Sequence, residues 1–210
     1  SFKLSFVYSS IFKFRDSKRM YVAGVPAVIN RLSFTGELGY EIYVAPHYQI
    51  KLYEELMEAG KEFNIKPFGS RALMSMRLEK NWGAWTLDYR PDFTPKETGL
   101  DAFINWDKDF IGKNSAQKDE SKNKIIPLIV ETNEIDVTYN EAVMKGEKSI
   151  GYITSGGFAH FVNKSVAFSY LDTKELNSGK GIQVEINGDM FNCSIIKEPL
   201  YDPLGTKMRS

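Results

Sequence analysis

Six short strand-like segments follow one another after residue 124, with no long helical pattern between them: Ile125–Val130, Val143–Met144, Ile150–Thr154, Ser165–Leu171, Ile182–Ile186 and Met190–Ile196. They are rich in β-branched and aromatic residues, which suit a pleated, half-buried surface. Asn187-Gly188-Asp189 lies between the last two, and an Asn-Gly pair supplies the positive φ angles of a tight hairpin. Several short strands of this kind close into a small barrel or stack as a sandwich. Just upstream, Gln117–Lys124 holds no apolar residue and reads as a linker. The expected division is 1–116, a linker at 117–124, and a β domain at 125–210.

The first half mixes strands and helices. Residues 4–14 are mostly apolar and suit a strand or a strand with a short helix. Met20–Ala23 and Ala27–Phe34 are strand-like, and Gly24-Val25-Pro26 between them reads as a hairpin. A strand at Tyr40–Ala45 is followed by Pro46 and a helix over about Tyr48–Phe63. Leu52, Tyr53, Leu56, Met57, Gly60 and Phe63 recur there at helical spacing. Asn64 and Pro67 end it. A second helix runs from Ser70, a suitable N-cap, to Lys80. Leu73, Met76 and Leu78 form much of its apolar side, and Arg71, Arg77, Glu79 and Lys80 are expected on a solvated face. Asn81–Pro95 is loop-like. Its Trp82 and Trp85 are expected to plug the core, and both are also good ring-stacking surfaces.

Arg31–Val44 is the stretch with the most chemistry in it. Side chains alternate along a strand, so Tyr40, Ile42 and Val44 share one face and Glu41 and Tyr43 the other. Gly36 and Gly39 leave the preceding backbone free to bend and to admit a close neighbour. A carboxylate beside aromatic rings at such a bend can hold a flat, nitrogen-rich ring. The rings stack, and the carboxylate accepts from a paired N–H edge. A solvated Glu on an ordinary strand is the plain alternative.

Composition removes other classes. Lys+Arg and Asp+Glu stand at 27 each, so bulk charge gives no basis for nucleic-acid binding. No apolar run reaches the length of a membrane span. Cys193 is the only cysteine, which excludes an internal disulfide and a cysteine-based zinc site; His47 and His160 are isolated. Low cysteine use suits a reducing compartment. No phosphate-binding loop or dinucleotide fingerprint occurs. Thr154-Ser155-Gly156-Gly157 reads as a tight turn. Ser155 and His160 are the residue types of a nucleophile and its base, but their separation fixes no geometry and no orienting acid is evident. The start at Ser1 has neither an initiator Met nor a signal pattern, and suggests a piece of something longer.

Several stretches, in order, resemble one family. They are Phe34-Thr35-Gly36-Glu37-Leu38-Gly39-Tyr40-Glu41, Met76-Arg77-Leu78-Glu79-Lys80, Ala84-Trp85 with Asp88, Thr94-Pro95, Gly99-Leu100 and Asp109-Phe110-Ile111-Gly112-Lys113. Gly151–Gly157, Glu198–Pro203 and Met208-Arg209 complete the pattern. The chain is similar to the folate-binding aminomethyltransferase superfamily, which includes the glycine-cleavage T-protein. It is most similar to the C-terminal part of dimethylglycine and sarcosine dehydrogenases. The resemblance implies an α+β fold: the latter half of a T-protein-like folate-binding domain, a sheet with packed helices, followed by a small C-terminal β-barrel.

The same resemblance implies tetrahydrofolate as cofactor and four candidate residues. Glu41 falls where the family holds the pterin's amino and ring N–H edge. Phe34 stands where Tyr is common, which keeps stacking and loses a hydroxyl. Trp85 stands where T-proteins often have Tyr. Leu73 takes the place of a folate-binding Arg, and Arg71, two residues earlier, is the nearest arginine. The family's catalytic Asp lies upstream of the region covered, so no residue here is assigned that role. FAD would belong to a preceding domain of the same protein, which is then a partner of this chain.

The implied activity is one-carbon transfer from a methylated amine such as dimethylglycine or sarcosine. The implied location is the cytoplasm, or the mitochondrial matrix in a eukaryote. The alternatives are a T-protein-type aminomethyltransferase, a related demethylase acting on another methyl donor, and a non-catalytic folate-binding or assembly module.

Overall fold

The computed structural model describes residues 12–132, 135–178 and 181–210. The expectation for residues 4–14 falls largely outside them. Contacts divide the chain into two compact units: one extends to Met76 and includes Asp202–Ser210, and the other is Arg77–Tyr201.

The first unit contains a three-stranded antiparallel sheet in the order β1-β2-β3, with β1 at Ser17–Val22, β2 at Val25–Asn30 and β3 at Glu41–Tyr43. The β1–β2 turn is Ala23-Gly24, both at positive φ (50° and 75°), the conformation of a two-residue hairpin whose twist matches its strands. Val25 and Pro26 are therefore strand residues and not part of the turn. Pro26 pairs with Tyr21, at a point where β2 has no second neighbour because β3 pairs only with Val28–Asn30. A proline without an N–H is tolerated there. Val25, Ala27 and Ile29 alternate inward, and Ala27 and Ile29 cluster with Phe12, Val22 and Leu52. Leu52 comes from α1 (Gln49–Ala59).

That helix is shorter than its sequence pattern. Gly60 caps it, Lys61–Phe63 forms a 3-10 turn, and Asn64 takes the left-handed conformation. Phe63 is thereby turned out to solvent, and Tyr53 is exposed on the helix side. Arg31, after β2, is buried: its guanidinium donates to the Phe12 carbonyl at 2.5 Å and to the Ser210 carbonyl.

α2 is Ser70–Glu79, as its pattern predicts, but its charges are not arranged as expected. Arg77, Glu79 and Lys80 are buried while Arg71 is exposed. The second unit begins at Arg77. It contains α3 (Lys113–Gln117) and a closed antiparallel barrel of β4 (Asn123–Val130), β5 (Ala142–Lys145), β6 (Lys148–Ala159), β7 (Lys164–Asp172), β8 (Ile182–Ile186) and β9 (Asp189–Ile195). The order around it is β4-β7-β6-β5-β8-β9, closed by β4–β9 pairing. Closure removes the sheet edges. Leu128, Val143, Ile153, Leu171 and Val184 are among the side chains filling the interior. Asn187 and Gly188 lie at φ 54° and 91° and turn β8 into β9.

Two stretches differ from their sequence reading. Lys118–Lys122 is a loop tied to its own unit: the Lys96 amine donates to the Asp119 carbonyl at 2.8 Å, and the Thr94 and Ser121 hydroxyls lie 3.0 Å apart. Asn123 and Lys124 are already in β4. Thr154-Ser155-Gly156-Gly157 is not a tight turn but the middle of β6. Gly156 serves close packing, because a Cβ there would collide with the Val137 carbonyl.

Candidate functional site

In the first unit the bend before β3 is locally braced. The Gly36 amide donates to the Ser33 hydroxyl at 3.0 Å, and Gly36 lies at φ 89°. A Cβ on Gly39 would come within 2.6 Å of the Leu32 carbonyl, so only glycine fits this close approach. β3 then follows the expected alternation. Tyr40, Ile42 and Val44 pack toward the core, and Glu41 and Tyr43 face out. Glu41 is exposed, and its Oε2 accepts from the Tyr43 hydroxyl at 2.6 Å. The neighbouring carboxylate raises the pKa of Tyr43 by that hydrogen bond and by its charge. Phe34 is half-buried on the bend, and Arg71 is exposed in the first turn of α2. Along the open edge of β3, a groove of about 830 Å³ is lined by Tyr40, Ile42, Tyr43, Ile50, Leu52 and Tyr53, among others; Glu41 is not in its lining.

Trp85 belongs to the second unit. It is not a core plug: its indole is 76% exposed and meets Tyr89 edge-on, ring centres 5.5 Å apart. Trp82 is half-buried beneath the Lys80 amine, 5.7 Å from its ring.

In the same unit lies a group of buried polar residues centred on Asp88, a residue whose sequence context gives it no role. Asp88 is wholly buried. Its Oδ2 accepts from Arg77 Nη1 at 2.6 Å and from the Ala84 amide at 2.8 Å. Its Oδ1 accepts from Thr154 Oγ1 at 2.5 Å and Ser155 Oγ at 2.6 Å. Its own carbonyl accepts from the Tyr170 hydroxyl at 2.8 Å. Thr154 and Ser155 are consecutive, so a regular strand would aim them to opposite faces. The register of β6 against β7 shifts between Ile153 and Ser155. That bulge re-aims one side chain and brings both hydroxyls onto the same oxygen. Burial lowers the Arg77 pKa, with Asp88 opposing, and burial first and the Asp88 charge second raise that of Tyr170.

Ser155 is thus spent on Asp88, while His160 is exposed against Phe158 with ring centres 5.1 Å apart. Glu79 is buried and accepts the Phe161 amide at 2.7 Å. Burial raises its pKa, and Phe161 and His160 partly offset this. The Cys193 thiol is pushed up to about 12, chiefly by burial, so it is a poor nucleophile at neutral pH. Among the described residues no three His, Cys, Asp or Glu side chains are grouped to hold a metal, and no helix is long and apolar enough to cross a membrane.

A fold of this kind, a sheet-and-helix unit followed by a closed six-stranded barrel, defines a class, and comparison with known proteins gives it a family. The GCVT N-terminal domain matches residues 4–108, and the glycine cleavage T-protein C-terminal barrel domain matches residues 123–202. The chain belongs to the glycine-cleavage T-protein family. Rat mitochondrial dimethylglycine dehydrogenase is 36% identical over 206 residues, 95% of this chain and 24% of that protein. The aminomethyltransferase of Thermoanaerobacter pseudethanolicus is 31% identical over 194 residues, 90% of this chain and 52% of that protein. The crystal structure of glycine cleavage system aminomethyltransferase T from Bartonella henselae superposes with a TM-score of 0.75 at 24% identity, over 84% of this chain and 50% of that one. The chain therefore spans about half the length of the aminomethyltransferases and about a quarter of the dehydrogenase it matches.

Proposed function

We propose that this chain is the later folate-binding portion and terminal barrel of an enzyme that transfers a methylene or methyl group from a methylated amine, such as dimethylglycine or sarcosine, to tetrahydrofolate. It would act as the C-terminal module of a larger dehydrogenase. The observation that carries this reading is the ordered pair of family matches, together with similarity to rat dimethylglycine dehydrogenase along 95% of the chain. In this reading FAD belongs to a preceding domain. The mitochondrial names of the rat, human and mouse relatives favour the matrix in a eukaryote.

The residues present fit a pterin chemically. Glu41 offers an exposed carboxylate beside a glycine bend, and two carboxylate oxygens match two parallel N–H donors. Phe34 and Trp85 are assigned as apolar walls, and Arg71 as the cation available to folate's own carboxylates. Tetrahydrofolate, when bound, supplies the nitrogen that receives the one-carbon unit. The protein's part is to orient it and to stabilise charge.

The test is calorimetric titration of the full-length protein with tetrahydrofolate. Glu41→Gln should weaken binding at least about tenfold, because hydrogen bonds to charged groups contribute ~1.5–3 kcal/mol. Affinity unchanged within error removes the anchor role. A second reading, a T-protein-type aminomethyltransferase, is favoured by the 31% identity to a protein half of which this chain covers. Turnover of dimethylglycine or sarcosine by the full-length protein supports the dehydrogenase. Folate binding without such turnover supports the second reading or a non-catalytic module.

A further inference from the structure

The exposed Trp85 indole sits on a loop whose underside is unusually well fixed. The Trp82 amide donates to the Arg77 carbonyl at 3.0 Å, and Arg77 Nη1 reaches back to the Trp82 carbonyl at 3.0 Å. The Ala84 carbonyl accepts from the amides of Asp88 at 2.9 Å and Tyr89 at 3.1 Å. The Gly83 amide donates to the Tyr89 hydroxyl at 3.2 Å, and a Cβ on Gly83 would come within 2.5 Å of the Tyr89 ring. Thr86 adopts φ 69°, a conformation that a β-branched residue holds only where its surroundings impose it. The Arg77 and Ala84 contacts converge on Asp88, whose carboxylate binds Arg77 and the Ala84 amide through one oxygen and the barrel hydroxyls of Thr154 and Ser155 through the other.

A carboxylate has about four acceptor positions, and here four donors occupy them. Asp88 is thus saturated by the protein and has no capacity left for a ligand. Its donors come from α2, from the loop and from the β6 bulge, so its effect is to lock these three together. Trp85 lies one residue after the anchored Ala84. Ordering a loop on binding lowers affinity, and prior ordering avoids that loss.

We propose that Asp88 is a positioning residue that, with Thr154 and Ser155, holds the 82–89 loop so that the Trp85 indole is preset as a flat stacking surface for a ring ligand. The inference rests on the reading of Trp85 as a wall of the folate site.

Thr154→Val and Ser155→Ala each remove one donor with little change of shape, and Thr154→Ser keeps the hydroxyl. In the full-length protein the first two should raise the KM for tetrahydrofolate about five- to tenfold, the size of one lost hydrogen bond, with kcat within twofold of the parent and the melting transition still cooperative. Thr154→Ser should restore the parent KM. With fluorotryptophan incorporated, the Trp85 resonance, assigned by its loss in Trp85→Phe, should shift or narrow in both variants. In a Trp85→Ala background neither substitution should change KM further, because groups that act through one another are not additive.

Equal changes of KM with and without Trp85 would overturn the proposal. So would an unmoved Trp85 resonance, or an unchanged KM in Thr154→Val and Ser155→Ala when Trp85→Ala itself weakens binding. An unchanged KM in Trp85→Ala is a different failure: it removes Trp85 from the folate site and shows the underlying reading to be wrong.

Discussion

Asp88 and Glu41 are both carboxylates next to aromatic rings and close-packed glycines, yet they sit in opposite circumstances. Asp88 is fully buried, with a guanidinium, an amide and two hydroxyls on its oxygens. Glu41 is exposed and takes a phenol on Oε2. The difference separates holding a fold from binding a molecule. A carboxylate whose acceptor positions are filled by the protein stabilises what it touches. One left at the surface of an edge strand can exchange water for a ligand's donors.

The sharpest break of that comparison is Asp88→Ala. It removes the counter-charge of the Arg77 guanidinium, 1% exposed, leaves the Ala84 and Ser155 donors without their acceptor, and leaves Thr154 only the long contact to the Phe168 carbonyl at 3.4 Å. Breaking a buried pair in this way costs about 3–5 kcal/mol, read as a lower midpoint in urea for the barrel unit. Glu41→Gln, measured identically, should change stability by less than about 0.5 kcal/mol, as exposed substitutions do. Comparable losses in the two variants would abolish the distinction.

Gly151→Ala is next in size and bears on the barrel that carries the Asp88 partners. A Cβ there would run into the Tyr170 carbonyl and the Leu171 side chain, and Tyr170 is the residue whose hydroxyl reaches the Asp88 carbonyl. Overpacking against backbone costs about 1–3 kcal/mol. It should appear in denaturant melts together with a perturbed near-ultraviolet signal from Tyr170 and the Phe93 ring stacked on it at 3.5 Å. A variant as stable as the parent would show that β6 and β7 are not held as closely as their register indicates.

These residues also show what a sequence reveals and what it conceals. The barrel strands were legible in their β-branched and aromatic runs and in the Asn187-Gly188 hairpin; five of the six lie within two residues of the observed bounds, whereas β6 runs five residues past its expected end. The alternation that sends Glu41 outward was legible because successive side chains of a strand point to opposite faces. The Asp88 cluster was not. Arg77, Glu79 and Lys80 look like a solvated helix face because nothing on the helix reveals their partners, Asp88 in the following loop for Arg77 and the distant Phe161 amide for Glu79; Thr154 and Ser155 likewise lie far along the chain from Asp88. Thr154-Ser155-Gly156-Gly157 looks like a turn because its small and polar residues answer to tertiary demands, a bulge and the close approach of the Val137 backbone to Gly156, that leave no periodic trace. Trp85 reads in the sequence either as a core plug or as a stacking surface, and a fixed loop exposes it.

Glu79 offers the smallest effect and a third point on the scale between the two carboxylates. It is buried and accepts the Phe161 amide, but burial outweighs that bond and the nearby His160, so its folded-state pKa lies above the ordinary glutamate value. The sign follows from proton counting. Below the ordinary value the carboxyl is protonated whether the chain is folded or not, and its titration contributes nothing. Between the ordinary and the raised value the folded state holds more protons than the unfolded one, so stability falls as pH rises through that window and then levels off. Glu79→Gln keeps an acceptor for the Phe161 amide and removes the titration. Urea midpoints of parent and variant should therefore diverge as pH is raised through the window, with the variant gaining relative to the parent. A difference that stays constant with pH would mean that the Phe161 bond compensates burial in full, and would put Glu79 with Asp88 among the carboxylates that the protein satisfies completely.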